Sequence, residues 1–434
     1  MQLFETIRNG WKISDLRKKI LFTVFIIILF RIGSYIPVPF IDAVALKDAL
    51  SDLSSGTTLF SYLSILTGGA LEYGAIFAMG VTPYINSSII MQLLTVAIPA
   101  LERISQEGEE GRKKIAKYTR FCTVILALIQ GVAYYFYLRN SGKFLVYGIG
   151  AGVFAQIFTA VIIVLCFTAG SALIMWMGEQ IDDKGVGNGI SIILFAGIIA
   201  RGPSAIGTLY YNAVAGKWLP VAGICIVFLL MIAFIVFMTA AERRIPVQYA
   251  KKVVGRKMYG GQNSHLPIQV NMAGVLPIIF ASSILSIPST ILAFMGENST
   301  SSFAKVLKLF SYQQPIYVVL YLLMIVFFSY FYVTIQYNPV EMANNLRKNS
   351  GVIPGIRPGT PTSDFITKVI NKITLVGAVF LGVMAVLPII VGNIGNMNVA
   401  LGGTSVLILV GVALDTVKSI ESQMMMRYYK GFLD

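Results

Sequence analysis

Ten long apolar stretches, separated by segments that carry nearly all of the charge, dominate this sequence. Each stretch holds roughly 20 residues, the length that a helix needs to cross the hydrocarbon core of a bilayer. Hydrophobic residues make up 56% of the chain and charged residues only 12%, about half the charged fraction of a typical soluble domain. The pattern predicts an all-α polytopic membrane protein. The predicted spans are 20–37, 71–98, 119–138, 149–177, 186–201, 218–240, 268–293, 315–336, 373–392 and 403–420.

The distribution of basic residues predicts how these spans are oriented. With ten spans both termini lie on one side of the membrane. That side receives 26 of the 34 Lys and Arg residues, counting Arg120 and Lys418 at the ends of spans. Basic loops favour the cytoplasm, so we expect both termini to be cytoplasmic. The net charge of +14 mostly reflects this bias, and it also suits anionic lipid headgroups or acidic partners.

Few ionisable residues lie inside the spans, which bears on the class of protein. Proton-driven carriers and pumps keep such residues at mid-membrane, but Arg31, Glu72 and Asp415 all lie near span ends. The single histidine, His265, lies in a loop, and no His/Cys cluster could hold a metal. No phosphate-binding GxxxxGK[ST] loop and no catalytic acid pair is present. We therefore expect no enzyme and no cofactor, although a carrier of neutral solutes remains possible at this point.

An interruption precedes the second span. The apolar run 59–66 is followed by Thr67, Gly68 and Gly69 before apolar sequence resumes. The first piece is too short to cross a bilayer. It must re-enter the membrane, occupy a protein-lined cavity, or lie as a helix on the outer surface.

The number of spans suggests an internal symmetry. Two halves of five spans would have opposite orientations, and inverted halves place a pathway at their interface. The predicted halves are residues 1–205, with the short piece near 57–69, and residues 206–434, with cytoplasmic loops near 241–267 and 337–372. Spans 2 and 7, and spans 5 and 10, would then correspond, although no strong repeat is evident by eye.

Five segments stand out along the chain: GVTPYINSSIIMQLL (80–94), GVGNGISIILFAGI (185–198), LPIQVNMAGVLPIIFASS (266–283), PGIRPGTPT (354–362) and GGTSVLILVGVALDT (402–416). Together they resemble one known family, the SecY family, whose members are the central channel subunits of the bacterial Sec translocon. The resemblance runs along essentially the whole chain.

The resemblance implies a channel that passes unfolded secretory polypeptides across the bacterial plasma membrane. It also implies a lateral gate that releases transmembrane helices to lipid, a ring of aliphatic side chains at the constriction, and a short plug helix. The implied ring residues are Val81, Ile85, Ile190, Leu194, Ile279 and Ile408. The implied plug residues are Phe60, Leu63, Ile65, Leu66, Gly68 and Gly69. An apolar constriction of this kind can gate by excluding water.

The same resemblance implies the gate residues, the docking residues and the partners. Asn86, Gln130 and Asn271 are polar residues on spans that would line the gate, where they could hydrogen-bond across it or serve as ordinary contacts between helices. The implied docking residues for the ATPase SecA or the ribosome are Arg243, Arg244, Arg256, Lys257 and Arg357. A general cytoplasmic charge bias would also explain them. The other implied partners are SecE, SecG, signal sequences, nascent polypeptides and membrane lipids.

Overall fold

The protein is described here by a computed structural model that is mostly helical. It describes residues 11, 13–54, 67–140, 144–146, 152–216, 218–249, 252–254, 257–259, 263–295, 306–307, 314–395 and 403–430. The helices are α1 (Ser14–Gly33), α2 (Ala43–Ser54), α3 (Thr82–Ala97), α4 (Pro99–Gln106), α5 (Glu109–Asn140), α6 (Val153–Lys184), α7 (Gly189–Ala200), α8 (Gly202–Val214), α9 (Trp218–Ala240), α10 (Leu276–Met295), α11 (Pro315–Gln336), α12 (Pro339–Lys348), α13 (Thr360–Gly395) and α14 (Gly403–Lys430). The strands are β1 (Glu242–Tyr249), β2 (Lys252–Val254), β3 (Lys257–Tyr259), β4 (Asn263–Gln269) and β5 (Gly351–Val352).

Each of the ten predicted spans overlaps a helix in the described part of the chain. Within that part, six helical segments are long and apolar enough to cross a membrane, and the bent pair α3–α4 would make a seventh. The predicted spans 218–240 and 315–336 match α9 and α11 residue for residue. The all-α membrane architecture is therefore confirmed.

The second span differs from its prediction at both ends. Residues 67–80 form successive turns rather than a helix, and α3 begins only at Thr82. Gly68, Gly69, Gly74 and Gly80 all have positive φ, a left-handed conformation that interrupts helical hydrogen bonding and that glycine tolerates best. The prediction of a helix from residue 71 was therefore wrong for its first eleven residues.

A sharp bend ends α3. The axes of α3 and α4 differ by 105° at Ile98. Ile98 is extended, with φ −108° and ψ 112°, because the ring of the following Pro99 disfavours the helical conformation of the residue before it. The chain thus changes direction at this point before α5 begins at Glu109.

The seventh span also begins later than predicted. Residues up to Gln269 belong to β4, and residues 270–275 form turns in which Gly274 has a φ of +63°. The helix α10 starts at Leu276. The predicted helical stretch 268–275 was therefore wrong, again where a glycine takes a left-handed conformation.

The two loops predicted at 241–267 and 337–372 contain β-structure that the sequence did not predict. Strands β1 and β4 pair antiparallel, and β5 pairs with the other edge of β1 through Gln248 with Val352 and Tyr249 with Gly351. Ile245, Val247 and Ile268 enter an apolar cluster together with residues of α12 and α13. The two loops therefore form one folded unit on a shared core.

Candidate functional site

Five of the six predicted ring residues are buried in one central apolar cluster. Val81, Ile85, Leu194, Ile279 and Ile408 are all at most 8% exposed, and Ile190 is half-buried at the edge of the same cluster. The backbone N–H of Ile85 donates to the carbonyl of Val81 at 3.0 Å, so the two side chains follow one another along one face. The cluster contains many other apolar residues, so the ring itself remains a prediction.

Ile190 has a neighbour that the motif did not indicate. Its Cδ1 atom occupies the space where a side chain at Gly178 of α6 would stand. Ile190 therefore packs tightly against α6 within its own half of the chain. Of the six predicted ring residues, Ile190 is the least buried.

The segment that follows the predicted plug is held by two arginines. The Nη1 atom of Arg31, on α1, donates to the carbonyl of Gly68 at 3.0 Å. Arg201, between α7 and α8, forms an ion pair with Glu72, and the two side chains are only 19% and 14% exposed. Sequence reasoning placed Arg31 and Glu72 near span ends but did not single out Arg201, and it could not pair these residues. We call this set, Arg31, Gly68, Glu72 and Arg201, the outer clamp.

Of the predicted plug, Phe60, Leu63, Ile65 and Leu66 lie outside the described residues. Gly68 and Gly69 are described, with φ values of +64° and +92°. A Cβ atom added at Gly68 would lie 3.0 Å from the Cα atom of Gly197. Because neither Gly68 nor Gly197 has a side chain, the chain approaches α7 more closely here than larger residues would allow.

The predicted gate residues lie on elements that pack together, but no hydrogen bond joins the three described side chains to one another. Helix α10 packs against both α3 and α5, which brings together the two walls of the predicted gate. Asn86 and Gln130 are half-buried on α3 and α5, while Asn271 is 8% exposed just before α10. Within the described part of the chain, the buried Oδ1 of Asn271 has no hydrogen-bond partner, and no hydrogen bond links these three amides. Of the two alternatives left open by the sequence, the contacts of the described residues fit ordinary contacts between helices in this conformation, and the gate itself stays a prediction.

The described docking residues lie on strand β1, on strand β3 and in the turn that follows β5. Arg243 and Arg244 are exposed on β1, where Arg244 pairs with Glu242 at 2.6 Å. Lys257 lies on β3, and Arg256 lies outside the described residues. Because β5 pairs with β1, the turn that follows β5 is tied to the same unit. We call this unit, β1, β4, β5 and the turn 354–359, the platform.

The turn of the platform presents Arg357 to solvent. Gly355 and Gly359 on either side have φ values of +82° and +106°. The hydroxyl of Thr362 donates to the carbonyl of Arg357 at 2.8 Å, while Ile353 is buried in the platform core. The guanidinium is thus displayed on a turn whose backbone is fixed by its neighbours.

Further contacts that the sequence did not predict join α1, near the start of the chain, to α14, near its end. Val186 packs with Leu16 of α1 and Ile420 of α14, and its N–H donates to the hydroxyl of Thr23 at 3.2 Å. Lys19 donates to the side chain of Gln423 at 3.1 Å. The two predicted halves are therefore connected at this end of the bundle, on elements other than those of the predicted gate.

Comparison with known proteins decides the family. A family model described as SecY matches residues 75–417. The chain belongs to the SecY family. It is 45% identical over 430 residues to the protein translocase subunit SecY of Streptomyces galbus, which covers 98% of both chains. It is 44% identical to the corresponding subunit of Mycobacterium bovis, with 96% of this chain and 97% of that one covered.

Solved structures share the SecY-family fold. One, described as a protein-conducting channel, has a TM-score of 0.65 at 19% identity and covers 94% of this chain and 92% of its own. Another, Sec61 in the canine ribosome–channel complex, has a TM-score of 0.60 at 17% identity with the same coverage. The fold is therefore preserved at low sequence identity, in agreement with the expectation from the five motifs.

Proposed function

We propose that this chain is the protein-conducting channel of the Sec translocon. It passes unfolded secretory polypeptides across the plasma membrane of a bacterium and releases transmembrane helices to lipid through a lateral gate. The observation that carries the proposal is the near full-length similarity to protein translocase subunits SecY. The apolar cluster that contains the predicted ring fits this function.

An aliphatic constriction performs two tasks that a polar one would not combine. Apolar side chains exclude water and ions from a narrow passage at rest. They also give a passing polypeptide no hydrogen-bonding partners that would hold it in place, since dispersion contacts are individually weak. Val81, Ile85, Leu194, Ile279 and Ile408 provide this surface, with Ile190 at its edge.

Release of helices to lipid uses the seam between α10 and the pair α3 and α5. Apolar contacts with no amide hydrogen bond across the gate separate without leaving new unsatisfied polar groups in lipid, which would be costly. A hydrophobic signal sequence or transmembrane segment can replace those contacts with its own. The buried Oδ1 of Asn271 is available to a polar group on the incoming helix or to water.

Partners supply the energy, because we expect no nucleotide-binding site in this chain. The platform with Arg243, Arg244 and Arg357, together with Lys257 on β3, is the proposed docking surface for SecA and for the ribosome, and Arg guanidinium groups suit the phosphates of ribosomal RNA. The structure of canine Sec61 in a ribosome–channel complex supports the ribosomal part of this proposal. SecE and SecG complete the proposed complex, in which exposed apolar residues of α9 such as Leu229, Leu230 and Phe237 face lipid or these subunits.

The proposed function is tested at the constriction. Ile408→Asn places an amide on a residue that is 1% exposed within the apolar cluster, so water should enter the passage more readily. We expect the purified complex in a planar bilayer, without substrate, to conduct more ions at rest than the wild type. Ile279→Asn should have the same effect.

Ile90→Asn provides the matched control, because Ile90 lies on α3 but is 40% exposed and points away from the cluster. Its resting conductance should equal that of the wild type. Unchanged conductance in Ile408→Asn and Ile279→Asn, in correctly inserted protein, would remove the constriction from this region.

A further inference from the structure

Two helices of the apolar cluster begin in the same way. Helix α3 begins within Gly80-Val81-Thr82-Pro83, at Thr82, and α10 begins within Gly274-Val275-Leu276-Pro277, at Leu276. In both, the glycine has a positive φ, +56° and +63°, and a proline occupies the second helical residue. Proline in the first turn of a helix loses no hydrogen bond and sets φ for the helix. The two starts are therefore equivalent in sequence and in backbone conformation.

A second pair of helices repeats in the same cluster. Helix α7 contains Gly189-Ile190-Ser191 and α14 contains Gly403-Thr404-Ser405, and each has a further glycine eight residues after its first, Gly197 and Gly411. Each of these helices is the last predicted span of its half. The two repeats together relate the second and fifth spans of one half to those of the other.

The repeats pair the predicted ring residues. Ile85 corresponds to Ile279 in the first repeat, and Leu194 corresponds to Ile408 in the second. Val81 is left with a counterpart that the motifs did not single out, Val275. Val275 is 8% exposed, compared with 4% for Val81, and both belong to the same apolar cluster.

The glycines Gly197 and Gly411 each contact the chain that precedes the second span of their own half, although the contacting residues are not counterparts in the repeat. The non-helical chain that leads to α3 lies against Gly197, where a Cβ at Gly68 would be 3.0 Å from its Cα atom. The non-helical chain that leads to α10 lies against Gly411, where the Cγ2 atom of Val275 fills the space of a missing side chain. In each half, a glycine on the last span thus receives the chain that precedes the second span.

We propose that Val275 is a further residue of the constriction, the counterpart of Val81, and that Gly411 is the positioning residue that seats it. This inference rests on the proposed channel function. A side chain at Gly411 would displace Val275 away from α14, and with it the start of α10. The constriction would then be lined by matched pairs from the two halves, Val81 with Val275, Ile85 with Ile279, and Leu194 with Ile408.

The first test replaces a methyl group by a hydroxyl group of similar size, since Thr is nearly isosteric with Val but polar. Val275→Thr and Val81→Thr should both raise the resting conductance of the purified complex in a planar bilayer, to a similar extent. Val410→Thr is the control: Val410 is 7% exposed in the same cluster but corresponds to no ring residue. Its resting conductance should stay at the wild-type value.

The outcomes separate this inference from the proposed function. A rise in Val81→Thr with wild-type conductance in Val275→Thr overturns the inference and leaves the channel function standing. Wild-type conductance in Val81→Thr, Ile408→Asn and Ile279→Asn together contradicts the constriction on which both rest.

A second test addresses the proposed role of Gly411 in positioning Val275, and it does not depend on the stability of Val275→Thr. Gly411→Ala should raise the resting conductance, and adding Val275→Ala should bring it back toward the wild-type value, because the smaller side chain leaves room for the new methyl group. Gly223→Ala, on α9 with no atom within 4 Å of the added Cβ, should change nothing. Additive effects of Gly411→Ala and Val275→Ala would show that the two residues are not coupled, and would overturn the seat.

Discussion

At the scale of single residues, glycines decide where the chain can leave helical geometry inside the bundle. Gly68 combines two demands, a φ of +64° and a backbone contact with Gly197 of α7. A residue with a Cβ atom meets steric strain in the left-handed region. At Gly68 the same atom would also lie 3.0 Å from both Nη1 of Arg31 and Cα of Gly197, so the outer clamp depends on the absence of a side chain there.

Gly68→Ala and Gly108→Ala separate these two effects. Gly108 has a φ of +78° but no atom within 4 Å of an added Cβ, so its replacement should lower the free energy of unfolding only by the conformational strain, about 1–2 kcal/mol. Gly68→Ala should lower it further, because Arg31 and the backbone of α7 must also move. Chemical unfolding of the purified protein in detergent measures both. Equal losses in the two variants would mean that the contact with Gly197 contributes nothing.

At the scale of elements, the structure shows which features apolar patterning can and cannot predict. Span 6 was predicted correctly because apolar sequence and helix end together at Ala240. Residues 71–81 and 270–275 are also rich in apolar residues, but they are not helical, since hydropathy does not report backbone dihedral angles. The glycines at 74, 80 and 274 were the available signal, and their meaning depended on φ values that a sequence does not state.

The platform was missed by sequence analysis for a different reason. Pairing between β1 and β5 joins residues about 100 positions apart, and no local pattern predicts such a contact. The candidate site shows the same limit. Motifs indicated which residues are polar or aliphatic at the gate and ring. The ion pair of Arg201, the packing of Ile190 against Gly178 and the unpaired amide oxygen of Asn271 depend on tertiary packing.

The platform supports a prediction about docking. Arg357→Glu reverses an exposed charge on a turn held by glycines and by Thr362, so stability should change by less than about 0.5 kcal/mol. We expect SecA-driven secretion and ribosome binding to be strongly reduced. Lys348→Glu is the matched control, since Lys348 is exposed at the end of the adjacent α12 but lies outside the turn. Equal impairment by the two substitutions would reduce Arg357 to one charge among many.

At the scale of the whole molecule, basic residues gather on one side and predict the orientation. Strand β1 of the platform, with Arg243 and Arg244, and the neighbouring strand β3, with Lys257, lie between predicted spans 6 and 7. Lys47, by contrast, lies after span 1, with its Nζ 5.2 Å from the centre of the Tyr73 ring. The bias of basic loops toward the cytoplasm places these two regions on opposite sides of the membrane.

Cysteine labelling of intact cells checks this orientation. In a background in which Cys122, Cys166 and Cys225 are replaced, Lys257→Cys should react with a membrane-impermeant thiol reagent only after the membrane is permeabilised. Lys47→Cys should react in intact cells, because the outer side is accessible there. The reverse pattern would invert the proposed topology.

The connection between the platform and the membrane has a mechanical consequence. Strand β4 is separated from α10 only by residues 270–275, and α10 forms one wall of the seam with α3 and α5. Strands β1 and β4 are paired by hydrogen bonds, and residues 270–275 connect this pair of strands to α10. A docked motor or ribosome that tilts these strands would therefore apply torque at the start of α10, next to Val275. A load applied outside the bilayer would reach the seam between α10 and the pair α3 and α5 through this six-residue segment.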